Sequence, residues 1–558
     1  MKSHPPGFRA LFLPTRRRVL ASMAGLAAVP LTAFAPSTRA DADGDICSVA
    51  GTLSRRLFVP GAAGYLGRLA PRGTPVTLVA TTRGSTAPGA GQGPLVYRVR
   101  HAGRDYRNPT LALAPGERVR ITLENRLDAP TIAHWHGLAV DTANDGGGLV
   151  LVPPGHRYAY DFEVRDRGAL YWYHPHPHGS TAQQMYDGLF GLIDVDDSDH
   201  AALRRALDLV PGRTELSLVL QDRRHDARYR PAPADLMHGF FGDEAFVNGT
   251  PCAYFDVASR LYRLRLLNAC NARTLRLAFR TAAGTRLPFT IVGNDAGLLP
   301  APIEVSEAFF AAAERLDLLI DLSAAPVGET ILMESIAFDP MHAEMSSDAA
   351  APDAAVDHAA MGHGAGADGA ASASRGHQHH AATWPEGGPM RLLAFRVRQK
   401  LRYDRKVPAK LASLPPIDTA GARERPFRFG YNKGRWRIND RVFVMGETPV
   451  EVARDTTEIW LLRNYHTSMP HAMHLHGFQF EVIERETSPA FVSALAVDER
   501  ARLASDLGRK DTLLVWPGES VRVAIRFALP WPDAQTYMFH CHNLEHEDGG
   551  MMVGVRVA

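Results

Sequence analysis

Near its C-terminus the chain reads Thr536-Tyr537-Met538-Phe539-His540-Cys541-His542-Asn543-Leu544-Glu545-His546, with Met551 five residues further on. The aromatic, apolar run that leads in predicts a strand. Successive side chains on a strand point to opposite faces. Cys541 therefore faces one way and His540 and His542 the other, so the fold must serve two different centres across one backbone. A thiolate, two imidazoles and a weak thioether make the ligand set of a blue-copper electron-transfer site. Cys541 and His546 supply part of such a set and Met551 its axial sulfur; the second imidazole must come from elsewhere. The plainer alternative is a buried free cysteine among core histidines, which leaves the spacing to His546 and Met551 unexplained.

The same local pattern stands near the ends of four apolar runs: His134-Trp135-His136-Gly137, His174-Pro175-His176, His474-Leu475-His476-Gly477 and His540-Cys541-His542. On extended backbone both rings of a His-x-His pair fall on one face. Eight imidazoles paired in this way can surround a compact metal cluster. His471, three residues before the third pair, is free to be the missing blue-copper nitrogen.

In this order the motifs HWHG, HPH, HxxHxHG and HCHxxxHxxxxM resemble those of the three-domain multicopper oxidases, the family of laccases, bilirubin oxidases and bacterial cuprous oxidases. The resemblance covers about residues 90–558. It implies an all-β fold of three cupredoxin-like Greek-key sandwiches and a complement of four copper ions. It assigns His471, Cys541 and His546, with axial Met551, to a type 1 copper. It assigns His134 and His474 to a type 2 copper. To a type 3 pair it assigns His136, His174, His176, His476, His540 and His542. His178 extends the second pair to a triple, and the family pattern leaves it as a supporting or surface ring.

Length and composition agree with that reading. A chain of 558 residues suits three domains of about 150. Short apolar runs between Gly and Pro turns favour β-structure throughout. The expected organisation is a targeting segment at 1–42, a first domain at 45–200, a second at 210–400 and a third at 420–558. Thr15-Arg16-Arg17-Arg18-Val19-Leu20 followed by an alanine-rich apolar stretch reads as a twin-arginine export signal. That stretch, with Gly25 and Pro30, is short for a membrane span. We therefore expect a periplasmic monomer with no anchor in the mature chain. Without residues 1–42, which hold six Lys/Arg and one Asp, the formal charge changes from +2 to −3. Nothing in that balance points to nucleic acid. Of four cysteines, Cys252 and Cys270 could pair in an oxidising compartment, which would leave Cys47 single, but sequence does not fix the connectivity.

The second domain has no His-x-His pair outside a segment at 339–389, rich in Ala, Gly and Asp. A segment so poor in large apolar residues reads as a disordered loop. It nevertheless carries Met341, His342, Met345, His358, Met361, His363, His377, His379 and His380, and thioethers and imidazoles suit Cu(I). Resemblance to the cuprous-oxidase branch makes Met341, Met345 and Met469 candidate ligands for substrate copper, although Thr467 stands where that branch has an acid. The implied activity is oxidation of four one-electron donors, Cu(I) foremost, with reduction of O2 to water. Phenol oxidation as in laccases is the alternative enzyme reading; a copper carrier or a scaffold is the non-enzyme one. Asp145 and Glu547 resemble the family's proton-relay acids, while Asp548 reads as a loop-capping carboxylate.

Overall fold

The computed structural model describes residues 47–48, 51–83, 94–224, 228–342 and 385–558. Residues 1–42, read above as a targeting segment, and most of the 339–389 segment, including Met345, lie outside these residues. Six β-sheets form three face-to-face pairs. Each pair encloses its own apolar core, built around Trp135 and Tyr173, around Phe279 and Phe395, and around Trp460 and Phe539.

The three pairs repeat one topology. In the first, Arg118–Asn125 runs parallel to Val76–Thr82 and antiparallel to Arg157–Glu163. In the second, Leu261–Asn268 lies between Glu215–Arg223 and Arg315–Asp321 in the same sense. Thr457–Asn464 does so in the third, between Arg423–Asn432 and Ser520–Arg526. The facing sheets repeat as well. Ala133–His136 and Ala169–Pro175 pair antiparallel in the first, with His134 opposite His174. His471–Leu475 and Gln535–Cys541 pair likewise in the third, with His474 opposite His540. The matching strands of the second are Leu275–Thr281 and Thr330–Ser335, which carry no histidine.

The chain's start departs from expectation. Arg55–Arg56 adds in parallel to Ala253–Ala258, so this segment belongs to the second sandwich and not the first. That pairing brings Cys47 to a Cα–Cα distance of 5.6 Å from Cys252, and these two form the disulfide. The expected Cys252–Cys270 bridge is not made. Cys270 follows Leu261–Asn268 into the interior and remains a buried free thiol. No helix among the described residues is long and apolar enough to cross a membrane.

Candidate metal centres

Eight buried imidazoles converge at the seam between the first and third sandwiches. Four come from strands at 133–136 and 169–175 with the residue that follows, and four from those at 471–475 and 535–541 with theirs. Backbone acceptors fix four of the eight ring tautomers, since a carbonyl can only accept. Nδ1–H of His134 donates to Asp145 O at 2.8 Å and that of His474 to Asp511 O at 2.8 Å. His174 Nδ1–H donates to Pro175 O at 2.9 Å, and His540 Nδ1–H to Cys541 O at 3.0 Å. Each of these rings thus aims a bare Nε2 lone pair inward.

The inward nitrogens form two trios. His136 Nδ1 and His542 Nε2 each lie 3.4 Å from His174 Nε2. His540 Nε2 lies 3.0 Å from His476 Nε2 and 3.4 Å from His176 Nε2. Lone pairs this close repel one another unless a cation sits among them. Metal–nitrogen bonds of about 2.0 Å at tetrahedral angles separate their ligands by about 3.3 Å, so the spacing fits a metal in each trio. His134 Nε2 and His474 Nε2 are buried without a hydrogen-bond partner, which leaves them for a third ion. Burial also depresses the basicity of His174 to about 3 and of His176 to about 4, so these two rings are neutral donors at ordinary pH.

Across the backbone, Cys541 Sγ lies 3.6 Å from His471 Nδ1 and 3.7 Å from His546 Nδ1. Asn543 caps the short helix Leu544–Asp548, and this turn carries His546 back to the sulfur. Gly550, at φ +93°, then reverses the chain, and Cys541 N donates to Met551 O at 3.1 Å, which brings the buried Met551 beside the thiol. His546 Nε2–H donates to Met237 O at 2.8 Å, so its Nδ1 is the bare nitrogen facing sulfur. Burial pushes the Cys541 thiol up to about 12; without a cation it would stay protonated, and a bound metal would displace that proton. The indole of Trp436 covers both imidazoles, its centroid 4.7 Å from His471 and 4.9 Å from His546. The donor sets therefore suit copper on both faces of the 540–542 backbone.

Other expected residues separate clearly. Asp145 is buried at the cluster and accepts His476 Nδ1–H at 2.9 Å; burial raises its pKa well above the usual carboxylate range. Glu547 lies 3.4 Å from His176 Nε2 and 3.3 Å from His540 Nδ1. Asp548 accepts Thr181 N and Ala182 N at 2.9 Å each, a capping role. His178 is exposed and packs against Phe443, away from the trios. Met469 lies in the third core, beside the strand that carries His471. It is 2% exposed there. Met341 is half-buried against the Phe309–Trp516 cluster.

Several residues escape sequence reasoning. Asp511 accepts His136 Nε2–H at 3.0 Å; only its place beside Thr512, which pairs with His474, could have pointed to it. Beside His546, His238 and His342 stack at 5.4 Å, and His342 Nε2 lies 2.8 Å from Glu386 Oε2. On the open side of His546 is a cavity of about 580 Å³, walled by Tyr229, Met237, Tyr431, Trp436 and Glu545.

Sequence profiles described as multicopper oxidase match residues 98–200 and 412–558, the two parts that carry the rings. The multicopper oxidase mco of Staphylococcus aureus is 27% identical over 80% of this chain and 81% of its own length. A laccase of Bacillus subtilis is 28% identical over 76% of this chain and 79% of its own. The crystal structure of the McoA multicopper oxidase from Aquifex aeolicus is 31% identical, covers 90% of this chain and 99% of its own, and superposes with a TM-score of 0.74. Agreement over the whole fold, in sequence and in shape, means that this chain belongs to the multicopper oxidase family, copper-dependent oxidoreductases that use O2.

Proposed function

We propose that the chain holds four coppers and couples four one-electron oxidations, principally of Cu(I), to reduction of O2 to two waters, as a monomer exported to the periplasm by the twin-arginine route. His471, Cys541, His546 and Met551 would hold the type 1 ion, and His134 and His474 the type 2 ion. His136, His174 and His542 would hold one type 3 ion and His176, His476 and His540 the other. Bound copper supplies single-electron acceptance at the first centre and oxygen reduction at the cluster. The observation that carries this reading is the shared backbone: Cys541 meets one donor set while its neighbours His540 and His542 meet the other.

The chain's own groups do the positioning and proton work. The carbonyls of Asp145, Pro175, Asp511 and Cys541 lock the rings in the tautomer that binds metal. Asp145, kept protonated by burial, is placed to release a proton toward the cluster as oxygen is reduced, whereas Glu547, an ionised carboxylate beside His176 and His540, is placed to accept and pass on protons from the opposite side.

Cu(I) as donor is supported by His238, His342 and Glu386, which gather imidazole and carboxylate beside His546, with Met341 adjacent. A phenol-oxidising reading is favoured by the aromatic-walled cavity on His546, whose size suits a small ring. Cuprous and phenol turnover by His342→Ala separates the two. Selective loss of cuprous turnover supports Cu(I); unchanged cuprous rates with phenol as the better donor reverse the order. A carrier or scaffold leaves eight converging rings without a use.

A further inference from the structure

The second sandwich offers no ligand to either centre, yet one of its side chains reaches the cluster through a single intermediary. Arg315 opens the strand Arg315–Asp321 and is buried where all three sandwiches meet. Its Nε donates to Leu170 O of the first sandwich at 3.1 Å. Nη1 donates to Ala313 O of the second at 2.8 Å and to Asp511 Oδ1 of the third at 2.9 Å. Nη2 donates to Asp511 Oδ2, completing a two-pronged clasp on that carboxylate. The clasped Asp511 is the acceptor for His136 Nε2–H, and its backbone carbonyl accepts His474 Nδ1–H. The two rings stack with centroids 3.7 Å apart.

The surroundings leave this arrangement little freedom. Asp295 Oδ1 accepts Arg315 N at 2.8 Å, and its Oδ2 lies 3.3 Å from Asp511 N. Lys510 Nζ lies 3.3 Å from Asp295 and 2.9 Å from Glu314, so two cations, Lys510 and Arg315, are set among three buried carboxylates. Gly137 accounts for the glycine of the HWHG motif: a Cβ there would sit 2.6 Å from Asp511 Oδ2 and 2.9 Å from Arg315 Nη2. Backbone, carboxylate and guanidinium are packed to contact.

We propose that Arg315 is a positioning residue for the oxygen-reducing cluster: by clasping Asp511 it holds the His136 proton on Nε2 and keeps His136 Nδ1 and His474 Nε2 aimed at metal. The second sandwich thereby tunes a site to which it gives no ligand. This inference rests on the reading that the seam binds copper.

The test compares Arg315→Met, Arg315→Lys and the isosteric Asp511→Asn with the unaltered, fully loaded protein, using chelator-driven copper release with the blue band of the Cys541 centre as internal reference. Outer partners of ligating histidines change metal affinity by about 10- to 100-fold. We expect a loss of that size in cluster copper for Arg315→Met and Asp511→Asn, an altered type 2 spin-resonance signal, and an unchanged blue band. Arg315→Lys, with charge but no fork, should fall between. Thermal unfolding of the metal-free forms separates a fold defect from a site defect, and Asp511→Asn carries the test if Arg315→Met does not fold. Wild-type release and spectra in both Arg315→Lys and Asp511→Asn overturn the proposal. An unaltered protein that binds one copper or none overturns the underlying reading instead.

Discussion

The second sandwich and its two neighbours share a strand order but not a chemistry. Where the first and third carry His-x-His pairs on two adjacent strands, the second has Leu275–Thr281 and Thr330–Ser335, whose Leu277, Phe279 and Met333 fill its own core. The same two positions in the fold thus serve metal in two copies and packing in one. Topology sets where a side chain can point; the side chain then decides whether the place becomes a site. The silent copy is still tied to the active ones, through Arg315 on Asp511 and through the helix Pro233–His238, whose Met237 carbonyl accepts His546 Nε2–H.

The largest test of this contrast pairs His174→Ala with Phe279→Ala. The first should abolish oxygen uptake while the blue colour remains. The second should leave copper content and turnover intact at low temperature, yet reduce unfolding free energy by about 3–5 kcal/mol, as read by denaturant titration. Copper loss in Phe279→Ala would mean that the middle copy governs the seam more widely than Arg315 alone.

Asp145→Asn probes the first sandwich's own contribution. Oxygen consumption should fall about 100-fold, the scale of a lost general acid, with ring geometry and colour retained. Full activity would reduce Asp145 to an anchor for His476.

Cys47→Ser isolates the middle copy again. The closed loop between Cys47 and Cys252 is long, and its loss should cost about 2–4 kcal/mol without changing copper content. Mass mapping of disulfide peptides from the unaltered protein should recover this pair and a free Cys270.

The smallest effect concerns the seam itself. Burial raises Asp166, beside Gln479 of the third sandwich, to about 7. An unfolded aspartate titrates near about 3.9, so the native state holds this proton more tightly. The resulting stabilisation is complete below the unfolded value and is lost as pH rises through about 7. Asp166→Asn should flatten the decline of thermal midpoint across that interval.

Much of the convergence was legible because paired histidines repeat at fixed spacing on strands. His134 to His176 and His471 to Met551 needed only alternation and motif order. Asp511 and Arg315 were not legible, since each is an ordinary residue at a strand edge until pairing sets Thr512 against His474. Cysteine pairing failed for a related reason: only the parallel addition of Arg55–Arg56 to Ala253–Ala258 brings Cys47 to Cys252. The threefold strand order was hidden because packing preserves direction and register while the residues change.

His174 and His542 are 368 positions apart, and His136 and Asp511 are 375 apart. During synthesis the opening unit can fold long before its counterpart leaves the ribosome, with four rings facing no one. Ion uptake at the junction must therefore await the strand that ends in His540 and His542, so acquisition of metal there reports on the docking of the two sandwiches.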